Sequence, residues 1–165
     1  MSSNHQRWVV HRLCIALKGG TAMTVETILR RKGEGVITIQ PNRCITDVLD
    51  LLAEEDIGAL VVSADGKHLD GIISERNIVR ELARSGSVIL DWSISALMTR
   101  EVFTCMGGER IAGIMALMTK RHIRHVPVVA DGQLRGIITI GDVVKSRLDE
   151  VQAEADTMRT YIQGA

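Results

Sequence analysis

The sequence predicts an α+β fold (α/β-like) in which two tandem β-α-β-β-α units pack about a pseudo-twofold axis. The chain repeats itself between residues 36–82 and 102–148, and the hydrophobic period changes in the same order within each copy. A strand also runs into a helix twice through nearly the same residues, GIISERNIV at 71–79 and GIITIGDVV at 136–144. At 165 residues the chain has room for two half-size units that share a core.

The repeat aligns residue by residue over most of its length. Gly71 meets Gly136 after a slip of one residue in a turn. Six positions of the first copy fall on similar residues of the second: Val36, Thr38, Ile45, Ile57, Val62 and Asp65 on Val102, Thr104, Ile111, Ile123, Val128 and Asp131.

Each element of the unit has its own pattern. An alternating segment, VITI at 36–39 or VFTC at 102–105, predicts a short strand. Apolar residues then recur at helical spacing, and the runs ALVVS at 59–63 and VPVVA at 126–130 predict a second strand. An Asp-Gly pair, a strong hairpin signal, leads into a third strand, LDGII at 69–73 or LRGII at 134–138, and a second helix follows.

Composition narrows the class of partner. The net charge is zero and aromatic residues make up 2% of the chain, which argues against nucleic acid and anionic membranes as partners. Cys14, Cys44 and Cys105 are an odd number at wide spacing and indicate reduced, mostly buried thiols. We find no convincing signal peptide or membrane anchor and expect a cytoplasmic protein with a small-molecule or protein partner.

The repeat divides the chain into five segments. We expect a leader at 1–22, a first repeat at 23–84, a linker at 85–101, a second repeat at 102–148 and an amphipathic helix at 149–165. The leader is either a start-site artefact, with translation beginning at Met23, or a genuine N-terminal helix or arm. The last helix carries an apolar stripe that needs cover, either from a second copy in a homodimer or from its own domain: Leu148, Val151, Ala155, Met158 and Ile162.

The second junction has the chemistry of a nucleotide contact. Gly136 allows close approach, the Thr139 hydroxyl and exposed helix amides favour an anion, and the Asp142 carboxylate can accept hydrogen bonds from a ribose diol. The same Thr-x-x-Asp spacing is also close to a capping box, which only satisfies the helix N-terminus. Two copies within matching repeats favour the nucleotide interpretation.

These residues, RHVPVVADGQLRGIITIGDVV at 124–144 above all, resemble a pair of cystathionine-β-synthase (CBS) domains, or Bateman module. The resemblance covers residues 23 to 150 and is most specific in the second copy. It implies a regulatory cleft between the repeats that binds AMP, ADP or ATP, or sometimes S-adenosylmethionine or NAD(H). It also implies no required cofactor, a homodimer and an unidentified regulated protein.

The resemblance assigns positions in this cleft. Thr139 and Asp142 match the phosphate-side hydroxyl and the ribose carboxylate, and Ser74 and Asn77 match them in the first copy. An amide at Asn77 should hold a ribose less strongly, by about 1 kcal/mol, so the second site is predicted to be the tighter one. First-strand positions line the adenine and second-strand positions lie beside it: Thr38 and Thr104, then Ala59, Leu60, His125 and Val126.

Charged residues near the cleft extend the prediction. Arg76 and Arg124 are candidates for phosphate contact, whereas Arg121 is as easily a solvated surface residue. The pair His122 and His125 has no further ligands and is weak support for a metal site. A sensor is the leading function, and a scaffold with vestigial sites is the second. An enzyme is the third, because no nucleophile with an adjacent base appears.

Overall fold

The computed structural model describes residues 11–12, 23–33 and 35–163. Most of the predicted leader, 1–22, therefore lies outside the described residues. The strands are β1 (His11–Arg12), β2 (Thr38–Ile39), β3 (Ala59–Val62), β4 (Gly71–Ser74), β5 (Phe103–Thr104), β6 (His125–Ala130) and β7 (Gln133–Thr139). The helices are α1 (Val25–Lys32), α2 (Ile45–Glu54), α3 (Glu75–Ser85), α4 (Ile94–Leu97), α5 (Ile111–Arg121) and α6 (Ile140–Gln163), with a 3₁₀ helix at Gly86–Asp91.

Both copies follow the predicted β-α-β-β-α order, which confirms the α+β fold class. In the first copy β2 pairs parallel with β3, and β3 pairs antiparallel with β4. In the second copy β6 pairs antiparallel with β7, and a parallel bridge from Cys105 to Val128 sets the end of β5 beside β6. β1 pairs parallel with β5.

The two hairpin turns differ. Asp131 and Gly132 both have positive φ, 53° and 75°, as a two-residue type I′ turn requires. In the first copy the connection between the strands is longer and spans residues 63–70, where Asp65 accepts hydrogen bonds from the backbone amides of Lys67 and His68. The Asp-Gly pair thus marks a hairpin in each copy, but it forms the tight turn only in the second.

Each copy completes its core with a helix from the segment that precedes the other copy. Val25 and Ile28 of α1 are buried in the second core, beside Ile111 and Ile138. The predicted linker contributes three residues to the first core: Ile89 of the 3₁₀ helix, Ile94 of α4, and Met98 directly after α4. The predicted boundary at residue 23 therefore follows chain order but not packing, since α1 belongs to the second core.

The two equivalent glycines, Gly71 and Gly136, lie where these exchanged segments pack on the strands. An added Cβ at Gly136 would lie 2.5 Å from Cδ2 of Leu29 on α1. An added Cβ at Gly71 would lie 2.8 Å from the carbonyl oxygen of Thr99 and 2.9 Å from the sulfur of Met98. Gly136 was predicted to admit backbone or ligand, and the group that approaches it is the Leu29 side chain.

Helix α6 extends well beyond the second core. Its apolar residues Leu148, Val151, Met158 and Tyr161 are 65%, 48%, 69% and 83% exposed, respectively. The predicted stripe is thus not covered by the described part of its own domain at these positions. The side chain of Ile162, also predicted to lie in the stripe, is outside the described residues.

Candidate functional site

A cleft with a volume of about 500 Å³ lies between the two copies. Three segments line it: the N-terminal turn of α3, the segment that leads into β5, and the end of α5 with the start of β6. Five predicted site residues line it, Ser74, Arg76, Asn77, Arg124 and His125. It is also lined by Gly58, Ile72, Glu75, Arg80, Thr99, Glu101, Val102, Phe103, Arg121, His122 and Ile123.

At the first junction, Ser74 and Asn77 form a capping box at the start of α3. The backbone amide of Asn77 donates to Ser74 Oγ at 3.4 Å. Its side-chain Oδ1 accepts from the backbone amide of Ser74 at 3.2 Å and from the Ser74 hydroxyl at 2.5 Å. Asn77 Nδ2 donates to Thr99 Oγ1 at 3.4 Å. Both side chains are only partly buried, so they cap the helix while they face the cleft.

At the second junction, the Thr139 amide and hydroxyl donate to Asp142 Oδ2 at 2.8 and 2.9 Å, and the Asp142 amide donates to Thr139 Oγ1 at 3.2 Å. Lys32 Nζ lies 3.1 Å from the same oxygen. Burial raises the pKa of Asp142, but the hydrogen bonds from Thr139 and Lys32 outweigh it and leave this pKa below its ordinary value. Neither Thr139 nor Asp142 lines the 500 Å³ cleft.

Four arginines give the cleft its charge. Arg76 donates to the His122 carbonyl across the cleft at 3.1 Å, and the Arg121 guanidinium lies 5.0 Å from the centre of the Phe103 ring. Among the described residues, the guanidinium groups of Arg80 and Arg124 have no hydrogen-bond or ion-pair partner. The lining also contains two carboxylates, those of Glu75 and Glu101. Its net charge is therefore +2 when the histidines are neutral.

His125 lies at the start of β6, partly buried at the cleft wall. An added Cβ at Gly58 would lie 3.6 Å from its Cε1 and 3.5 Å from a carboxylate oxygen of Glu75, so the ring faces the first copy. Burial, followed by the charges of three basic residues, Lys32, Arg124 and Arg76, lowers the pKa of His125, while Asp142 opposes them. The imidazole is therefore held neutral next to a cluster of cations.

Five other predicted positions do not present side chains to this cleft. Leu60 and Val126 are fully buried, one in each core, and Ala59 and Thr104 are 6% and 5% exposed. The Thr38 hydroxyl faces the other end of the sheet, because an added Cβ at Gly66 in the hairpin loop would lie 3.9 Å from it. Any contact that Leu60 or Val126 makes with a ligand must go through the backbone, since their side chains are needed in the cores.

The prediction missed several residues of the cleft. Arg80 lies one turn beyond Arg76 on α3, and helical spacing from Arg76 could have identified it. Thr99 and Glu101 lie in the predicted linker, which contributed no site residue to the prediction. The sequence signal for Thr99 was Gly71, because the missing side chain of this glycine makes room for the Thr99 backbone.

The described residues contain neither a candidate metal centre nor a candidate membrane span. No group of three or more His, Cys, Asp or Glu side chains in the described residues could hold a metal ion, and His122 ends α5 in the left-handed conformation at φ 54°. None of the helices within residues 23–33 and 35–163 is long and apolar enough to cross a membrane.

Comparison with known proteins gives a consistent assignment. The sequence model of the CBS domain matches residues 25–84 and 94–149. The mitochondrial CBS domain-containing protein CBSX3 of Arabidopsis thaliana is 29% identical over 154 residues, which cover 88% of this chain and 75% of the relative. Two further curated relatives are longer, and the matches cover 39% and 42% of their lengths.

Solved structures share the architecture. A CBS-domain containing protein from Agrobacterium tumefaciens superposes with a TM-score of 0.73 at 41% identity and covers 76% of this chain and 99% of its own. The CBS domain pair of protein MJ0100, solved in complex with 5′-methylthioadenosine and S-adenosyl-L-methionine, has a TM-score of 0.67 at 30% identity, with coverage of 79% and 98%. The chain therefore belongs to the CBS domain family, as a pair of CBS domains whose cores are completed by exchanged helices.

Proposed function

We propose that this protein is a regulatory sensor that binds an adenosine nucleotide carrying phosphate groups in the 500 Å³ cleft. The observation that carries the proposal is the set of four arginines beside the Ser74 capping box. Two of these guanidinium groups, those of Arg80 and Arg124, lack a partner within the described chain, and a phosphate would supply one. AMP, ADP and ATP all carry the required charge.

The chemistry of the ligand can be narrowed further. Related CBS domain pairs bind adenosine ligands, as the complex of MJ0100 illustrates. S-adenosylmethionine carries a sulfonium cation, which a cleft with a net positive lining disfavours. NADH carries two phosphates and is the closer alternative, distinguished from ADP by its size.

Binding in this cleft offers a route to signalling. Arg76 reaches from the first copy to the His122 carbonyl of the second, so a phosphate that recruits Arg76 would change a contact between the copies. A ligand with different affinities for two arrangements of the copies shifts their populations, and a partner protein can read that shift. The proposed role is therefore regulatory and non-catalytic.

A thermal-shift screen tests the ligand. ADP at saturating concentration should raise the unfolding midpoint by mass action, and adenosine and S-adenosylmethionine should raise it less. Arg80→Ala and Arg124→Ala should each reduce the ADP shift. Arg84→Ala is the matched control, because Arg84 lies one turn further along α3, pairs with Glu81 and does not line the cleft.

Two results would contradict the proposal. A shift with ADP that is unchanged in both Arg80→Ala and Arg124→Ala would place the nucleotide elsewhere. No shift with any nucleotide would favour the alternative function, a scaffold that assembles without a ligand.

We also propose that α6 pairs with a second copy of the chain. Leu148, Val151, Met158 and Tyr161 remain exposed along this helix, and burial of such a stripe drives association. Leu148→Glu with Met158→Glu should convert a dimer into a monomer in light scattering coupled to size exclusion, with the secondary structure unchanged in circular dichroism. A wild-type chain that is monomeric at high concentration would overturn this proposal.

A further inference from the structure

The segment that precedes each copy supplies a side chain to the helix cap of the strand–helix junction it packs on. At the first junction this residue is Thr99, which exchanges backbone hydrogen bonds with Ile72 and accepts from Asn77 Nδ2 at 3.4 Å. At the second junction it is Lys32, whose Nζ donates to the Ile137 carbonyl at 3.4 Å and to Asp142 Oδ2 at 3.1 Å. The two junctions are otherwise built alike.

The fold holds Lys32 in this position. Leu29, one turn earlier on α1, fills the space over Gly136, where an added Cβ would lie 2.5 Å away. Ile28 of α1 is buried in the second core. Because α1 is fixed on β7 by these contacts, the Lys32 side chain begins over the end of β7 and reaches the carboxylate directly.

The ion pair between Lys32 and Asp142 occupies the carboxylate that a ribose would need as its hydrogen-bond acceptor. The Asp142 side chain is 20% exposed and the Lys32 side chain 41% exposed, so the ion pair is partly shielded from water. Asp142 Oδ2 already accepts from Thr139, and Lys32 adds a charge-assisted hydrogen bond to it. A ribose diol must therefore displace an ammonium group before both carboxylate oxygens can accept from it.

We infer that Lys32 is a specificity-determining residue that keeps the second junction closed to nucleotides and leaves the first as the binding site. This inference rests on the proposed function, and it reverses the ranking predicted from Asn77 and Asp142. The uncharged Asn77 attracts no cation of this kind, whereas the stronger ribose acceptor, Asp142, is the one that the fold occupies with its own lysine.

Calorimetric titration with ADP tests the inference through the number of molecules bound per chain. Wild type should bind one, and Lys32→Met should bind two. Lys32→Met with Asp142→Ala, which leaves no side-chain acceptor for the ribose, should return to one. Arg31→Met is the matched control, because Arg31 is the neighbouring residue on α1 and pairs with Asp149 rather than Asp142. It should bind one.

A parallel titration with adenosine separates the ribose from the phosphate. Adenosine has no charge for Lys32 to attract, so Lys32→Met should still gain a site at Asp142. One ADP per chain in both wild type and Lys32→Met overturns this inference and leaves the proposed function standing, as does weaker ADP binding in the variant. No ADP bound to either protein overturns both, whereas ADP bound only to Lys32→Met supports the inference and overturns the first-junction site.

Discussion

At the scale of single residues, the cleft keeps one imidazole neutral among cations. The pKa of His125 is lowered by burial and by the charges of Lys32, Arg124 and Arg76, while Asp142 acts in the opposite direction. The unfolded chain has none of this environment, so there the imidazole titrates near its ordinary value of 6.5. The unfolded state therefore binds more protons than the folded state just below that pH.

This difference predicts a pH-dependent stability. Where the unfolded state binds more protons, the free energy of unfolding falls as pH falls, so the contribution of neutral His125 is present above about pH 6.5 and is lost below it. The thermal midpoint of the wild type should drop between pH 7.5 and 5.5, and His125→Asn should show a smaller drop. Equal slopes for the two proteins would contradict the assignment.

Two glycines make a second prediction at this scale. Gly71→Ala should destabilise the protein by about 1–3 kcal/mol, because its Cβ would meet the backbone oxygen of Thr99, which cannot rotate away. Gly136→Ala should cost less, because the methyl groups of Leu29 can move. Urea unfolding measures both changes.

Gly108→Ala is the control for these variants. An added Cβ at Gly108 would meet nothing within 4 Å, so its effect should stay within about 0.5 kcal/mol. A Gly71→Ala variant as stable as Gly108→Ala would contradict the close packing of the linker on β4.

At the scale of elements, α1 and α4 play equivalent parts on opposite cores. The Val25 amide donates to the Glu109 carbonyl, and the Ile94 amide donates to the Arg43 carbonyl, so each helix begins against the loop that precedes α5 or α2. The bridges from Thr24 to Arg110 and from Cys44 to Ser93 repeat the same arrangement. Neither copy has a complete core without its neighbour's leading segment.

Removal of a buried side chain from α1 should therefore destabilise the second copy. Ile28→Ala removes a residue that is 7% exposed and should cost about 2–5 kcal/mol of unfolding free energy. Hydrogen exchange should accelerate at β6 and β7 before β3 and β4. Leu49→Ala on α2, where the side chain is 38% exposed, is the control and should cost much less. Faster exchange confined to the first copy would contradict the exchanged packing.

Local patterns predicted the elements but not this exchange. The period change from strand to helix and the Asp-Gly pairs lie within short windows, so the sequence carries them directly. The equivalence of Thr24 and Ser93 is hidden, because α1 and α2 begin twenty residues apart (25 and 45) while α4 and α5 begin seventeen apart (94 and 111). An alignment in the register of the strands therefore misses it.

At the scale of the whole molecule, the repeat explains why one chain carries the same junction twice. Each junction caps a helix, and the pair of copies encloses a cleft that neither copy forms alone. The sequence could indicate five residues that line this cleft, because they lie at or beside the repeated junctions: Ser74, Arg76, Asn77, Arg124 and His125. Lys32 could not be found in this way, because its meeting with Asp142 depends on how α1 packs across 110 residues of chain.

The central claim is that a nucleotide occupies the first junction's cleft. An NMR titration of isotope-labelled wild-type protein with ADP tests it most directly, since each backbone amide reports its own surroundings. We expect dose-dependent shifts at residues 74–77, at Thr99 and at 121–125, with little change at 139–146. Shifts confined to 139–146, or none at saturating ADP, would contradict the account.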